Sequence, residues 1–207
     1  MKRLLDIVSA LLLLLVGAPF LLLIAVAIAV TMGRPVLFRQ VRPGRGEVPF
    51  TLLKFRTMSV DDTGTRSDRE RLTRLGRWLR LTSLDELPSL VNVLHGDMSL
   101  VGPRPLLVRY LPYYNEHERT RHSVRPGLTG WAQIHGRNRV AWDDRLALDV
   151  WYVEHQSLHL DLRILVRTIY RALVRDGVVD APDTALPDLD VARSSGSRRT
   201  DRSSLPS

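Results

Sequence analysis

The 207-residue chain contains no cysteine, which excludes a disulfide framework and any thiolate metal site. Its six histidines, at positions 95, 117, 122, 135, 155 and 159, show no metal-ligand spacing. Acidic residues are in deficit, 22 against 30 lysines and arginines, for a formal net charge of +8. So basic a chain suits nucleic acid, anionic lipid or phosphorylated substrates alike. Charge of either sign is missing altogether from Ile7 to Gly33, where Leu, Val, Ile and Ala dominate. That run is too long for a cleaved signal peptide and has no clear cleavage site, so it is expected to enter a membrane and stay there.

As one helix, about 24 of these residues would reach roughly 36 Å, enough to cross a hydrocarbon core of about 30 Å. Two features argue for a different path. Lys2 and Arg3 flank one end while Arg34, Arg39, Arg42 and Arg45 flank the other, so the positive-inside rule gives no orientation. Pro19, after Gly17 and Ala18, sits near the middle, where it removes a helix hydrogen bond and kinks the chain. Two arms of about 12 residues reach roughly 18 Å each, one leaflet deep. A re-entrant helix-break-helix hairpin with both ends cytoplasmic fits these features, and a kinked single span is the alternative.

Beyond it, the segments 36–41 and 49–55 read as strands, with Pro43-Gly44-Arg45-Gly46 between them as hairpin punctuation. Alternation puts Lys54 and Arg56 on one face and Phe55 on the other. Leu72, Leu75, Trp78 and Leu79, interleaved with Arg71, Arg74, Arg77 and Arg80, describe a basic amphipathic helix. A second one follows from Leu162, Leu165, Val166, Ile169 and Leu173 with Arg163, Arg167, Arg171 and Arg175. Either can pack in a core or lie on anionic headgroups.

The stretch Arg80 to Pro88 sets two adjacent carboxylates, Asp85 and Glu86, in this basic chain, with Leu84, Leu87, Leu90, Val91 and Leu94 at helical spacing. Two readings stand. Ser83 and Glu86 fit a capping box, and Asp85 itself fits an N-cap. Alternatively the acids do chemistry beside a bound anion, since Arg80 precedes them and Arg104 follows, held rigidly between Pro103 and Pro105. Arg125-Pro126-Gly127, Gly130-Trp131 and Gly136-Arg137-Asn138 form a second glycine-rich, basic loop system of a kind that lets backbone amides approach phosphate oxygens.

Four blocks carry a resemblance: Lys54 to Met58, Ser83 to Pro88, Asp97 to Pro105 and Arg125 to Gln133. Over roughly residues 1 to 180 the chain resembles the bacterial sugar transferase family, the small monotopic phosphoglycosyl transferases that start lipid-linked glycan assembly. One departure is Ala18, where such hairpins often carry a serine before the proline.

With the residue readings above, the resemblance implies a mainly helical α+β protein with a re-entrant membrane hairpin at 1–35 and a cytoplasmic catalytic domain with a β-hairpin and interfacial helices at 36–180; composition makes 181–207 a disordered tail, since its Ser, Asp, Arg and Pro content builds no core. It implies transfer of a sugar-1-phosphate from a UDP-sugar to polyprenol (undecaprenyl) phosphate with release of UMP, the first membrane step of exopolysaccharide, capsule or glycoprotein glycan synthesis. Asp85 would be the nucleophile and would share Mg²⁺ with the substrate phosphates; Glu86 would support metal or acid–base chemistry. Lys54, Arg56, Arg80, Arg104, Arg125 and Arg137 would hold phosphate, and Lys2, Arg3 and Pro19 would serve the membrane anchor. The implied partners are the UDP-sugar, polyprenol phosphate and membrane lipids at the cytoplasmic face of the bacterial inner membrane, and not nucleic acid; homodimerisation stays open. The competing class is a membrane-anchored, non-catalytic scaffold or anionic-lipid-binding subunit.

Overall fold

The computed structural model describes residues 1–61, 65–135, 141–174 and 187–196. It is a mainly helical α+β protein. Its elements run α1 (Lys2–Met32), β1 (Leu37–Pro43), β2 (Pro49–Phe55), α2 (Asp68–Arg71), α3 (Arg74–Thr82), α4 (Leu90–His95), β3 (Ser99–Val101), α5 (Glu116–Arg119), β4 (Gly127–Thr129), α6 (Trp131–Ile134), α7 (Trp142–Glu154), α8 (Leu158–Val174) and α9 (Leu189–Gly196). β1 and β2 form the expected antiparallel hairpin, with Phe38 opposite Lys54 and Leu37 opposite Phe55. β3 and β4 pair in parallel, Ser99 with Gly127 and Val101 with Thr129.

α1 is helical without interruption through Pro19, so the expected break is a missing hydrogen bond, at the Leu15 carbonyl, rather than a gap between two helices. Both of its ends are fastened to the rest of the chain. At the first end Lys2 Nζ donates to Asp161 Oδ2 (2.6 Å) and to the Val101 carbonyl (3.1 Å). Arg3 donates to the Val93 and Leu94 carbonyls at 2.6 and 2.9 Å, satisfying orphan acceptors at the end of α4. The buried Asp6 carboxylate accepts from Ser99 Oγ (2.8 Å) and the Leu100 amide (3.0 Å). At the other end Ile24 and Ile28 pack with Phe55 and Leu79. Between the two anchors, Leu12, Leu13, Leu15, Val16, Leu22 and Leu23 are all more than half exposed. In water such a stripe would be a liability, and in hydrocarbon it is at home.

The main core joins Ala10 of α1 to Leu52, Leu90, Val93, Met98, Leu100, Val101, Ile134, Tyr152, Leu160 and Ile164. Each large aliphatic buried there contributes about 1.5–3 kcal/mol. α8 sends Leu160 and Ile164 into this core and leaves Leu162, Val166, Ile169 and Tyr170 exposed. Within the 181–207 stretch, read from composition as disordered, the described part includes α9. Its Leu189 is fully buried beside Leu106, Tyr110, Tyr114 and Leu146, and Arg193 donates to Glu118 (2.5 and 2.7 Å) and Asp143 (2.7 Å).

Candidate active site

Asp85 and Glu86 sit in a 3₁₀ turn, Leu84–Ser89, that begins where α3 ends. The reversal between them passes through Ser83, held at φ 58° and ψ 17°, the left-handed region that residues with a Cβ rarely occupy. Ser83 makes no side-chain cap bond, and the Glu86 carboxylate turns away to cations, so the capping reading fails. The turn is bolted to β2: Ser89 Oγ donates to the Leu53 carbonyl (2.6 Å), Asn92 Oδ1 accepts from the Leu53 amide (3.1 Å), and Asn92 Nδ2 donates to the Thr51 carbonyl (2.8 Å). These two side chains occupy the free edge of β2 and fix Lys54 against the acids. Sequence reading passed over both, since nothing in the pattern distinguishes them from any polar residue on a helix.

Glu86 is fully engaged. Lys54 Nζ donates to Oε1 (2.6 Å), and Arg104 grips both oxygens at 2.7 and 3.3 Å. Burial alone would push the Glu86 carboxyl up, but the Arg104 and Lys54 cations outweigh it and hold it well below the usual carboxylate range. Asp85 behaves in the opposite way. It is 9 % exposed, and no side chain among the described residues hydrogen-bonds its carboxylate. Burial, followed by the neighbouring Glu86 charge, raises it to about 6, against the pull of Lys54, Arg104 and Arg80. So one acid is a fixed anion locked between cations, and the other is a desolvated carboxylate free to react.

The remaining expected phosphate ligands separate. Arg80 Nε donates to Thr57 Oγ1 (3.0 Å) and its charge reaches Asp85. Arg56 lines the same cavity, but its Nη1 and Nη2 donate to the carbonyls of Met32, Gly33 and Arg34 at the end of α1. Lys54 and Arg56 both line the cavity, as alternation suggested, and the Arg56 amide still bonds the Val36 carbonyl (2.9 Å) just past the end of β2. Arg125 donates to the Gly96 carbonyl (2.8 Å) and does not line the cavity. Arg137 lies outside the described residues. The glycines of the two loops serve close backbone approach: a Cβ on Gly127 would stand 2.1 Å from the Gly102 amide nitrogen. Their N–H groups are already bonded, Gly102 to the Thr129 carbonyl and Gly127 to the Pro103 carbonyl, so neither is available to cradle phosphate.

The structure adds groups that the sequence did not single out. Arg42 and Arg145 line the cavity, and burial, then the Arg104 charge, lowers Arg42 to about 10. Arg121, fully buried, donates to Asp149 Oδ2 (2.7 and 3.2 Å) and to the Arg104 carbonyl (2.7 Å). It thereby fixes the backbone that aims Arg104. Burial raises the Asp149 carboxyl while the Arg121 guanidinium works the other way.

All of this opens into one cavity of about 1770 Å³. Asp85, Glu86, Arg80 and Arg104 are among its charged lining, while Ser9 and Leu13 of α1 and Leu165 and Ile169 of α8 line it as well. A polar, multiply anionic molecule and an apolar chain can therefore share the space. No cluster of three or more His, Cys, Asp or Glu occurs among the described residues, so a protein-only metal cage is not what the donor set offers. Among the carboxylates lining the cavity, Asp85 has no side-chain partner among the described residues and suits an ion such as Mg²⁺, which takes few protein ligands and completes its shell with substrate phosphates and water.

Against known proteins, the bacterial sugar transferase family model matches residues 1–175. The chain is 50 % identical over 182 residues to the uncharacterized sugar transferase EpsL of Bacillus subtilis, covering 86 % of this chain and 90 % of that one. It is 45 % identical to the UDP-glucose:undecaprenyl-phosphate glucose-1-phosphate transferase of Caulobacter vibrioides, covering 84 % of this chain and 70 % of the other. With the undecaprenyl-phosphate galactose phosphotransferase of Salmonella typhimurium it shares 38 % identity over 86 % of this chain and 41 % of that one.

Proposed function

We propose a function from one premise: the chain belongs to the bacterial sugar transferase family. On our reading it is a phosphoglycosyl transferase that moves a sugar-1-phosphate from a UDP-sugar to undecaprenyl phosphate and releases UMP. The observation that carries this is the contrast within the acid pair, Glu86 held by Lys54 and Arg104 and Asp85 left buried, raised and unbonded at the wall of a cavity that α1 also lines.

In the first half-reaction an Asp85 carboxylate oxygen attacks the phosphorus that bears the sugar. A carboxylate–phosphorus bond forms, and the bond from that phosphorus to the bridging oxygen breaks, leaving with UMP. In the second, an oxygen of undecaprenyl phosphate attacks the same phosphorus and the Asp85 carboxylate leaves unchanged. A carboxylate meeting a diphosphate at about 4 Å is opposed by roughly 4 kcal/mol per charge pair at an effective dielectric near 20. Arg80, Arg104 and Arg42 offset part of that repulsion. Mg²⁺, when bound by Asp85 with the substrate phosphates, would neutralise more of it. Glu86 holds Lys54 and Arg104 in place rather than titrating, which favours a supporting role over general acid–base work.

The exposed apolar middle of α1 supports a membrane location. Both ends of that helix hold the same domain, so a spanning path would tear Lys2, Arg3 and Asp6 from β3 and α4, or Ile24 and Ile28 from β2 and α3. We therefore read it as re-entrant and the protein as monotopic at the cytoplasmic face, where undecaprenyl phosphate and a soluble nucleotide sugar both reach Asp85. The test is UMP release from a panel of UDP-sugars with undecaprenyl phosphate and Mg²⁺. Release with one sugar, lost in Asp85→Asn, supports the reading; equal release by that variant overturns the nucleophile.

A further inference from the structure

Two polar groups on the cavity wall find no use in the chemistry above. Gln133 of α6 has both Oε1 and Nε2 buried and without a hydrogen-bond partner among the described residues. Asp149 of α7 is 2 % exposed; Arg121 takes its Oδ2, and its Oδ1 is buried and unpartnered among the same residues. Both line the cavity. Both also adjoin the turn that carries Arg104. Gln133 Oε1 lies 2.7 Å from where a Cβ on Gly130 would stand, and that same point is 2.1 Å from the Gly102 carbonyl oxygen. Asp149 reaches the turn through Arg121, whose Nη2 bonds both Asp149 Oδ2 and the Arg104 carbonyl.

Buried polar atoms in native folds are almost always bonded, and each exception needs a reason. An apolar side chain would serve packing better at either position, because an unmatched buried donor or acceptor costs stability. A ligand supplies the reason. A carboxamide asks for one acceptor and one donor, and Asp149 Oδ1 asks for a donor when ionised and an acceptor when protonated. Phosphate oxygens satisfy only half of this demand. Hydroxyl groups, which donate and accept, satisfy all of it.

We propose that Gln133 and Asp149 form a hydroxyl-reading subsite for the sugar of the nucleotide-sugar donor, and so set which sugar is transferred. The inference rests on the transferase reading. The sugar is bonded to the phosphorus that Asp85 attacks, and Arg104, next to the subsite, grips Glu86 beside that nucleophile. The ribose of the donor also carries hydroxyls, so the experiment separates the two sources.

Steady-state UMP release is measured for wild type, Gln133→Leu, Gln133→Glu and Asp149→Asn with UDP-glucose, UDP-galactose and UDP-N-acetylglucosamine, alongside inhibition by UMP. Melting curves identify any variant that fails to fold; Gln133→Leu, outside the Arg121 ion pair, carries the test if Asp149→Asn does. The expected result is a loss of roughly tenfold or more in kcat/KM for the favoured sugar in Gln133→Leu, a narrowed ratio between sugars, and UMP inhibition within about twofold of wild type. An unchanged ratio between sugars overturns the subsite. UMP inhibition weakened in step with kcat/KM overturns it too, and assigns these groups to the nucleoside. Wild type silent with all donors would instead bring down the transferase reading, and the subsite with it.

Discussion

At the residue scale, Asp85 and Glu86 differ in what they can do because different partners meet them. Burial raises Asp85 from 3.8 to about 6, so the folded protein holds that proton more tightly than the unfolded chain does. Stability should therefore fall as pH rises through this window, and Asp85→Asn should remove the penalty, gaining about 1–3 kcal/mol at neutral pH while turnover is lost. Chemical denaturation of the variant beside wild type checks this; a destabilised variant would mean that the carboxylate is held by attractions rather than suffering from burial. Activity should follow the opposite sense. An attacking carboxylate must be ionised, so kcat/KM should climb as pH rises and level off above about 6. A profile flat between pH 5 and 7 would place the titration elsewhere. Glu86 is depressed instead, so its pairing with Lys54 and Arg104 contributes stability above its unfolded value and loses it only as pH falls. The chain has only two lysines, and Lys2 and Lys54 both spend their ammonium groups on internal carboxylates.

At the element scale, α3 must press against the end of β2 to deliver Arg80 and the acid turn. Gly76 allows this approach: a Cβ there would stand 1.8 Å from the Thr57 carbonyl oxygen, backbone that cannot move aside cheaply. Gly76→Ala should cost about 1–3 kcal/mol and pull Arg80 from Thr57, raising KM for the donor; calorimetry with steady-state kinetics tests both. Unaltered melting and KM would show that α3 has room to spare. The β-hairpin, α3 and α8 are legible in the sequence because punctuation and periodicity are local signals. The blocks also contain Asp85, Glu86, Lys54 and Arg104, and Arg80 stands just before the second of them. What escaped depends on neighbours distant in the chain. Arg56 donates to the carbonyls at the end of α1, and Arg125 to the Gly96 carbonyl, acceptors that only the fold brings near. Ser89, Asn92 and Arg121 matter only through what they face. α9 was hidden in a composition too polar for a core, because a single buried leucine and one arginine suffice to seat it.

At the scale of the whole molecule, both ends of α1 are fastened to the rest of the fold while an exposed apolar stripe lies between them, and the re-entrant reading makes a topological prediction. The lack of cysteine makes single-cysteine mapping clean. Leu4→Cys and Arg34→Cys should both react with an impermeant maleimide only when the cytoplasmic side is opened. Labelling from opposite sides would replace the re-entrant path with a span. The cavity is polar around Arg104 and Glu86 yet also lined by Leu13, Leu165 and Ile169, as the proposed pair of one water-soluble and one lipid-borne substrate requires.

The central claim is that Asp85 carries the sugar phosphate covalently between those two substrates. Its most direct test is the intact mass of the detergent-purified protein after mixing with the preferred UDP-sugar and Mg²⁺ in the absence of undecaprenyl phosphate. The account predicts UMP release close to one per active enzyme, a mass gain equal to one sugar phosphate, its location on Asp85 by peptide mapping, and its discharge on adding undecaprenyl phosphate. UMP released only when undecaprenyl phosphate is present, with no adduct at any time, would show direct transfer and contradict it.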